Sequence, residues 1–273
     1  MKERNIKIIV KYLGKDYHGW QKQIGEKTIQ GEIEKAAKKI FDQKIYLIGS
    51  GRTDAGVHAL GQTANFILNH SIPENKILYA LNSRLPRDIR VVDSKEVPMC
   101  FHSRYNSLGK TYEYRIYNNR IIDPFIKDTT YFIPFKLNLE KMNRAKEYFK
   151  GEHDFKAFMS SGSSVKSTVR KIHNIKMNEN NNLIKLSITG NGFLYNMVRI
   201  MVGTLIDVGR GKIEEKRLID IIEKRNRKSA GKTAKAEGLF LKKVYYEHNI
   251  NELLKENKWN KTTIMLDIRI SVL

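Results

Sequence analysis

Ile6, Ile8, Val10 and Tyr12 alternate with Lys7, Ile9 and Lys11, and this β-branched run predicts a first strand over residues 6–13. From residue 28 the period lengthens. Ile29, Ile33, Ala36, Ala37 and Ile40 recur at helical spacing to residue 41, and Thr28 has the side chain of an N-cap. Strands are expected at 44–49 and 59–68, flanking a polar loop that carries glycine. A short helix over 73–82 follows, with Pro73 near its first turn, and then a strand at 89–97.

The second half runs through the same order. The pattern predicts a strand at 110–118, a helix at 138–150, strands at 168–178 and 183–191, a long helix at about 193–208 and a strand at 239–246. Each half reads strand, helix, strand, strand, helix, strand, which is the order of a ferredoxin-like unit. Residue identity between the halves is too weak to make a sequence repeat. The expected architecture is α+β, with two ferredoxin-like (RRM-like) halves, residues 1–105 and 106–246. Their mainly antiparallel sheets would join around a central cleft, the natural place for a ligand. Residues 247–273 form a C-terminal extension, in which the alternating stretch 263–270 reads as one more strand.

Charge narrows the choice of partner. Lys and Arg number 50 against 29 Asp and Glu, a formal net charge of +21. Such a surplus costs self-repulsion in a compact state and points to a polyanion, either nucleic acid or an anionic membrane surface. No apolar run approaches the roughly 20 residues that span a bilayer. Residues Met1 to Asn5 lead into a strand rather than an apolar signal segment. No membrane is expected, and the chain is expected in the cytoplasm. Cys100 is the single cysteine, so no intrachain disulfide can form. There is no glycine-rich phosphate loop and no His/Cys cluster at ligand spacing, so neither a cofactor nor a metal is expected.

The most informative segment runs through Gly51, Arg52, Thr53, Asp54, Ala55, Gly56, Val57, His58 and Ala59. It falls between two expected strands, and its small residues leave a thin surface that a ligand can approach. Arg52 can meet a phosphate, or fix a carboxylate, through its planar fork. A cation beside Asp54 is expected to favour its ionised form, and a lone ionised carboxylate suits nucleophilic work. The competing reading is a plain turn in which Asp54 and Gly56 supply the geometry.

This nonamer resembles the signature of the TruA family of tRNA pseudouridine synthases. Tyr17 to Gln23, Thr28 to Gly31, Phe101 to Tyr105, Lys110 to Tyr114, Gly151 to Phe155, Phe193 to Arg199, Gly203, and Gly238 with Leu239 match in the family's order. The resemblance covers about residues 6–246. It implies a pseudouridine synthase fold, no cofactor, a homodimer, and isomerisation of uridine in the anticodon stem-loop of tRNA, at positions 38 to 40. Residue by residue, it makes Asp54 the catalytic nucleophile and Arg199 its basic partner. Tyr112 matches the tyrosine that stacks on the target uracil and is a candidate for moving the C5 proton. Arg52 matches the arginine that helps hold the flipped nucleotide. Whether Asp54 attacks uracil C6 or acts at ribose C1′ stays open.

Read without the resemblance, Tyr112 is a core aromatic of an alternating strand. Arg199 is an inward arginine on an apolar helix that needs a carboxylate, which Asp54 would supply. His58 and His102 read as structural or RNA-facing. The residues expected to hold RNA are Arg52, Tyr112, Arg104, Lys110, Lys166, Arg170 and Lys171, with Lys22, Arg84 and Arg87 as further candidates. Residues 160–164 read either as a loop that closes on RNA or as solvated surface. Two alternatives remain: the same chemistry on ribosomal RNA, or a non-catalytic RNA-binding protein on this fold. The joint presence of Asp54, Tyr112 and Arg199 argues against the second. Lys235 departs from the proline usual in the family, which bears on substrate preference.

Overall fold

Ten strands form one continuous sheet in the computed structural model, which describes residues 2–162 and 165–247. The first half supplies β1 (Arg4–Tyr12), α1 (Ile29–Phe41), β2 (Ile48–Gly49), β3 (His58–Leu68), α2 (Glu74–Asn82) and β4 (Ile89–Val97). The second supplies β5 (Gly109–Asn118), β6 (Tyr131–Ile133), α3 (Leu139–Ala145), β7 (Gly151–Asp154), β8 (Val169–Asn180) and β9 (Leu183–Gly190). It continues with α4 (Met197–Gly209), α5 (Arg217–Lys224) and β10 (Leu239–Tyr245). The sheet order is β4-β1-β3-β10-β5-β9-β8-β7, with β2 on β3 and β6 on β5.

The strand orders β4-β1-β3-β2 and β10-β5-β9-β8 are the same, so both halves have the expected ferredoxin-like arrangement, and the fold is α+β. The pairings are antiparallel except β5 with β6 and β3 with β10. The parallel seam between the halves is short: Phe240 opposite His58 and Leu241 opposite Ala59.

Two apolar cores form. One gathers Ile6, Ile8, Ile29, Ile33, Phe66 and Ile77; the other gathers Ile116, Phe149, Phe155, Ile188, Ile200 and Leu205. Each fully buried Ile, Leu or Phe contributes about 1.5–3 kcal/mol by area. Thr28 caps α1 as expected, accepting from the Gly31 N–H at 3.2 Å.

Three expected elements differ. The strand at 44–49 shrinks to two residues because α1 takes its backbone groups. The Leu47 N–H donates to Glu34 Oε1 at 3.1 Å, and the Leu47 carbonyl accepts from Gln30 Nε2 at 3.1 Å. The long helix starts at Met197 rather than 193, because Asn196 turns left-handed at φ 60°. The helix at 138–150 ends at Ala145 and tightens into a 3₁₀ turn over Lys146–Phe149. Helix α5 and strands β6 and β7 had not been expected, although Leu218, Ile221 and Ile222 give α5 a buried face. The expected strand at 263–270, and the extension that holds it from residue 248 on, lie outside the described residues.

Candidate active site

The loop between β2 and β3 rests on buried polar side chains. Tyr12 Oη lies 2.8 Å from Thr53 Oγ1. Gln62, fully buried in β3, accepts from Ser50 Oγ at 2.7 Å and donates through Nε2 to the Gly51 carbonyl at 2.8 Å. The Trp20 N–H donates to the Thr53 carbonyl at 3.0 Å. Gly19, at φ +83°, lies so close that a Cβ would come within 2.5 Å of that oxygen. The Gly51 and Thr53 carbonyls and the Thr53 hydroxyl are thus fixed from below, and Asp54 faces the open side.

The open side is a cleft of about 1050 Å³ between the halves. Arg52, Asp54, Arg104, Lys110 and Tyr112 line it, and Asp54 is the only carboxylate among the described lining residues. Arg199, on the first turn of α4, brings Nη1 to 3.8 Å from Asp54 Oδ2. Its Nε donates to the Ala234 carbonyl at 2.7 Å and its Nη1 to Asn196 Oδ1 at 2.8 Å. Ala234 is brought there by Gly203. A Cβ at 203 would meet the Lys232 carbonyl oxygen at 1.7 Å, so only glycine lets residues 231–234 lie on α4.

Burial pushes the Asp54 carboxyl above its ordinary value, and the charge of Arg199 offsets this only in part. The nearby cation does favour the ionised form as expected, but desolvation outweighs an arginine that stops short of a hydrogen bond. Burial, and secondly the Asp54 charge, push the Tyr112 phenol up, so it stays protonated at neutral pH. Its ring meets Phe193 edge-on, with centroids 5.1 Å apart. Burial, with the charge of Arg104 second, holds the Lys110 ammonium down at about 8.

The structure does not bring every expected RNA contact to the cleft. Lys166 is exposed and Arg170 and Lys171 are half-buried, none of them in the lining, although Val165 and Asn191 beside them are. Arg170 uses Nη1 on the carbonyls of Ser167 and Val169. Lys22 pairs with Glu34 at 3.0 Å, and Arg84 and Arg87 are exposed away from the lining. His58 is structural. It is buried, accepts from the Gly14 N–H at 3.0 Å on Nδ1, and donates from Nε2 to the Glu237 carbonyl at 3.1 Å. Burial lowers its pKa, so it remains neutral in this clamp. Lys235 sits at φ −63°, an angle that a proline ring would also impose, so its backbone conformation is one that either residue can hold, and it lies outside the cleft lining.

Sequence reasoning missed Tyr12, Gln62 and Asn196. A signal existed for Gln62, which lies in phase with Ala64, Phe66 and Leu68 on the core face of β3. A polar side chain at such a position requires partners.

The family model described as tRNA pseudouridine synthase matches residues 8–106 and 145–247. Fold and match together define an RNA pseudouridine synthase, an isomerase. The tRNA pseudouridine synthase A of Acetivibrio thermocellus is 53% identical over 243 residues, covering 89% of this chain and 100% of that protein. Its namesakes from Caldicellulosiruptor bescii and Clostridium botulinum (strain Alaska E43 / Type E3) are 48% and 49% identical, with the same coverage. The chain belongs to the tRNA pseudouridine synthase family. Among solved structures, a Cbf5-Nop10-Gar1 complex covers 73% of this chain and 54% of its own at 14% identity and a TM-score of 0.33, too slight a likeness to bear on the site. No helix among the described residues is long and apolar enough to cross a membrane.

Proposed function

We propose that this enzyme isomerises uridine to pseudouridine in the anticodon stem-loop of tRNA, at positions 38 to 40, with Asp54 as nucleophile. The observation that carries the reading is the lone cleft carboxylate, half-buried beside Arg199 and fixed from beneath by Gln62 and Tyr12. The name shared by the relatives supports tRNA as substrate.

The reaction breaks the bond between uracil N1 and ribose C1′, rotates the base and joins C5 to C1′, after which C5 loses its proton to restore the ring and N1 regains one. It involves no redox change and needs no cofactor. Ionised Asp54 supplies an electron pair, either to uracil C6 or to ribose C1′ as the base departs, and is released when the C5–C1′ bond has formed. Taking the nucleotide out of its stack costs a few kcal/mol. Stacking on Tyr112 returns about 1–3 kcal/mol. Because the Tyr112 phenol stays protonated, it moves the C5 proton as a relay, receiving it while passing its own to the Asp54 carboxylate freed once C5–C1′ has formed.

Arg52, Arg104 and Lys110 are placed to hold phosphates in the cleft, and Lys166, Arg170 and Lys171 extend the track beyond it. Residues 1–105 then act as the unit that carries Asp54, and 106–246 as the unit that carries Tyr112 and Arg199. The family resemblance supports a cytoplasmic homodimer. The deciding experiment is Asp54→Asn, nearly isosteric but not nucleophilic. Pseudouridine formation should vanish while RNA affinity stays within about tenfold of wild type. Turnover by pure Asp54→Asn protein would remove the nucleophile assignment.

A further inference from the structure

Just outside the catalytic centre, residues 102–106 form a turn locked by its own side chains. The His102 N–H donates to Asn106 Oδ1 at 2.6 Å, and the Asn106 N–H returns to the His102 carbonyl at 3.0 Å. The N–H groups of Arg104 and Tyr105 both donate to His102 Nδ1 at 3.2 Å. Beneath, the turn is bolted to the core: the Ser103 N–H donates to Asn65 Oδ1 at 2.9 Å, and Tyr246 Oη donates to the Ser103 carbonyl at 2.7 Å. The product of this order is a ring held out into solvent. Tyr105 stacks on His102, with centroids 4.2 Å apart and planes 28° apart, yet remains 76% exposed.

Holding an aromatic side chain rigid at the surface costs conformational entropy and buries little, so folding alone gives no reason for it. We propose that the Tyr105–His102 stack is a base platform, which receives an unpaired nucleobase of the RNA next to the uridine that enters the cleft. The inference rests on the reading of the cleft as an RNA site.

Its surroundings suit a nucleotide. Arg104 holds its guanidinium carbon 5.8 Å from the Tyr105 ring centroid, where it can meet a phosphate or extend the stack. Lys110, in β5 and half-buried, lines the same cleft, and its ammonium makes no hydrogen bond or ion pair among the described residues. The cleft lining thus offers an exposed ring at Tyr105 and half-buried Lys110 and Tyr112, two stacking faces and a cation of the kind that alternating bases and phosphates of one strand require. Bases inside a duplex already have both faces covered, so the platform selects nucleotides of a loop or an opened stem. A bare ring face reads no hydrogen-bond pattern, so the subsite tolerates any base.

The test uses the full chain with an RNA stem-loop carrying 2-aminopurine at each loop position in turn. Tyr105→Leu should weaken equilibrium binding about tenfold or more and abolish the fluorescence quench seen with wild type at one position. Tyr105→Phe, which keeps the ring, should restore both. Equal affinity and equal quench for wild type and Tyr105→Leu would overturn the platform. So would unchanged affinity with a changed mass by light scattering, which would make Tyr105 a contact between copies of the chain. Because the readout is binding, a wild type that binds RNA but forms no pseudouridine would sink the proposed reaction while leaving the platform standing.

Discussion

Arg199 Nη1 and Asp54 Oδ2 stand 3.8 Å apart, within reach of each other's charge but beyond a hydrogen bond. The guanidinium cannot close the gap without loosening its bonds to the Ala234 carbonyl and to Asn196 Oδ1. The arginine therefore tunes the carboxylate without occupying it, and both aspartate oxygens stay available to a substrate.

This distance gives the reaction a pH dependence. Burial lifts the Asp54 carboxyl above the ordinary value near 3.8, and Arg199 partly opposes the lift. With Asp54 as the proposed nucleophile, which acts ionised, the single-turnover rate should rise with pH through an apparent pKa above that value. Arg199→Gln removes the opposing charge and should move the limb to still higher pH. A limb that stays put in Arg199→Gln belongs to another group.

Tyr112→Phe keeps the stacking face but removes the hydroxyl. Affinity for RNA should stay within about threefold, while the rate after binding falls about a hundredfold, the scale of a positioned proton-transfer group. Single-turnover kinetics at saturating enzyme separate the two. A wild-type rate would leave the tyrosine as a stacking surface alone.

Gln62→Leu strips partners from Ser50 Oγ and the Gly51 carbonyl, at about 1–3 kcal/mol for each group left buried and unpaired. Beyond that loss of stability, kcat should fall at least tenfold because the Asp54 loop loses its footing. Ser94→Ala is the control. It removes a buried hydroxyl that serves Glu74 and Leu78, away from the cleft, and should lower Tm without lowering kcat. Equal kcat losses in the two variants would reduce Gln62 to general scaffolding.

Salt dependence distinguishes the two basic sets. Each phosphate neutralised contributes about 0.7–0.9 to the slope of log K against log salt. Replacing Arg52, Arg104 and Lys110 by Ala should flatten the slope by about two units. Replacing Lys166, Arg170 and Lys171 should flatten it less, since Arg170 spends donors on Ser167 and Val169. Filter binding across a salt series checks this, and equal flattening would make the outer set as strong a part of the RNA track as the inner one.

What could be read in advance was what local pattern encodes. The period change at Thr28 marked α1, and the small residues around Asp54 marked a loop on which chemistry is possible. Tyr112 and Arg199 needed the resemblance, because an aromatic in a strand and an arginine in an apolar helix have ordinary readings. The support beneath the loop was illegible for another reason. Tyr12, Ser50, Thr53 and Gln62 meet only after β1 and β3 have paired. The strand at 44–49 failed likewise, since Glu34, on a helix, takes the backbone group that a neighbouring strand would have taken. The protonation of Asp54 depends on how much water the finished cleft admits, and no run of residues states that.

Strand β10 is the last of the described strands in the chain, yet it lies in the middle of the sheet, between β3 and β5. Before it is made, His58 has neither the Glu237 carbonyl nor the ring of Phe240, and just ahead of it Ala234 must arrive to aim Arg199. Translation therefore delivers Ala234 and β10 after the Asp54 loop, Tyr112 and Arg199. A chain made only that far carries Arg52, Arg104 and Lys110, the cations proposed to hold RNA. On the proposed reading such a chain holds RNA first and acts on it only once its central strand is in place.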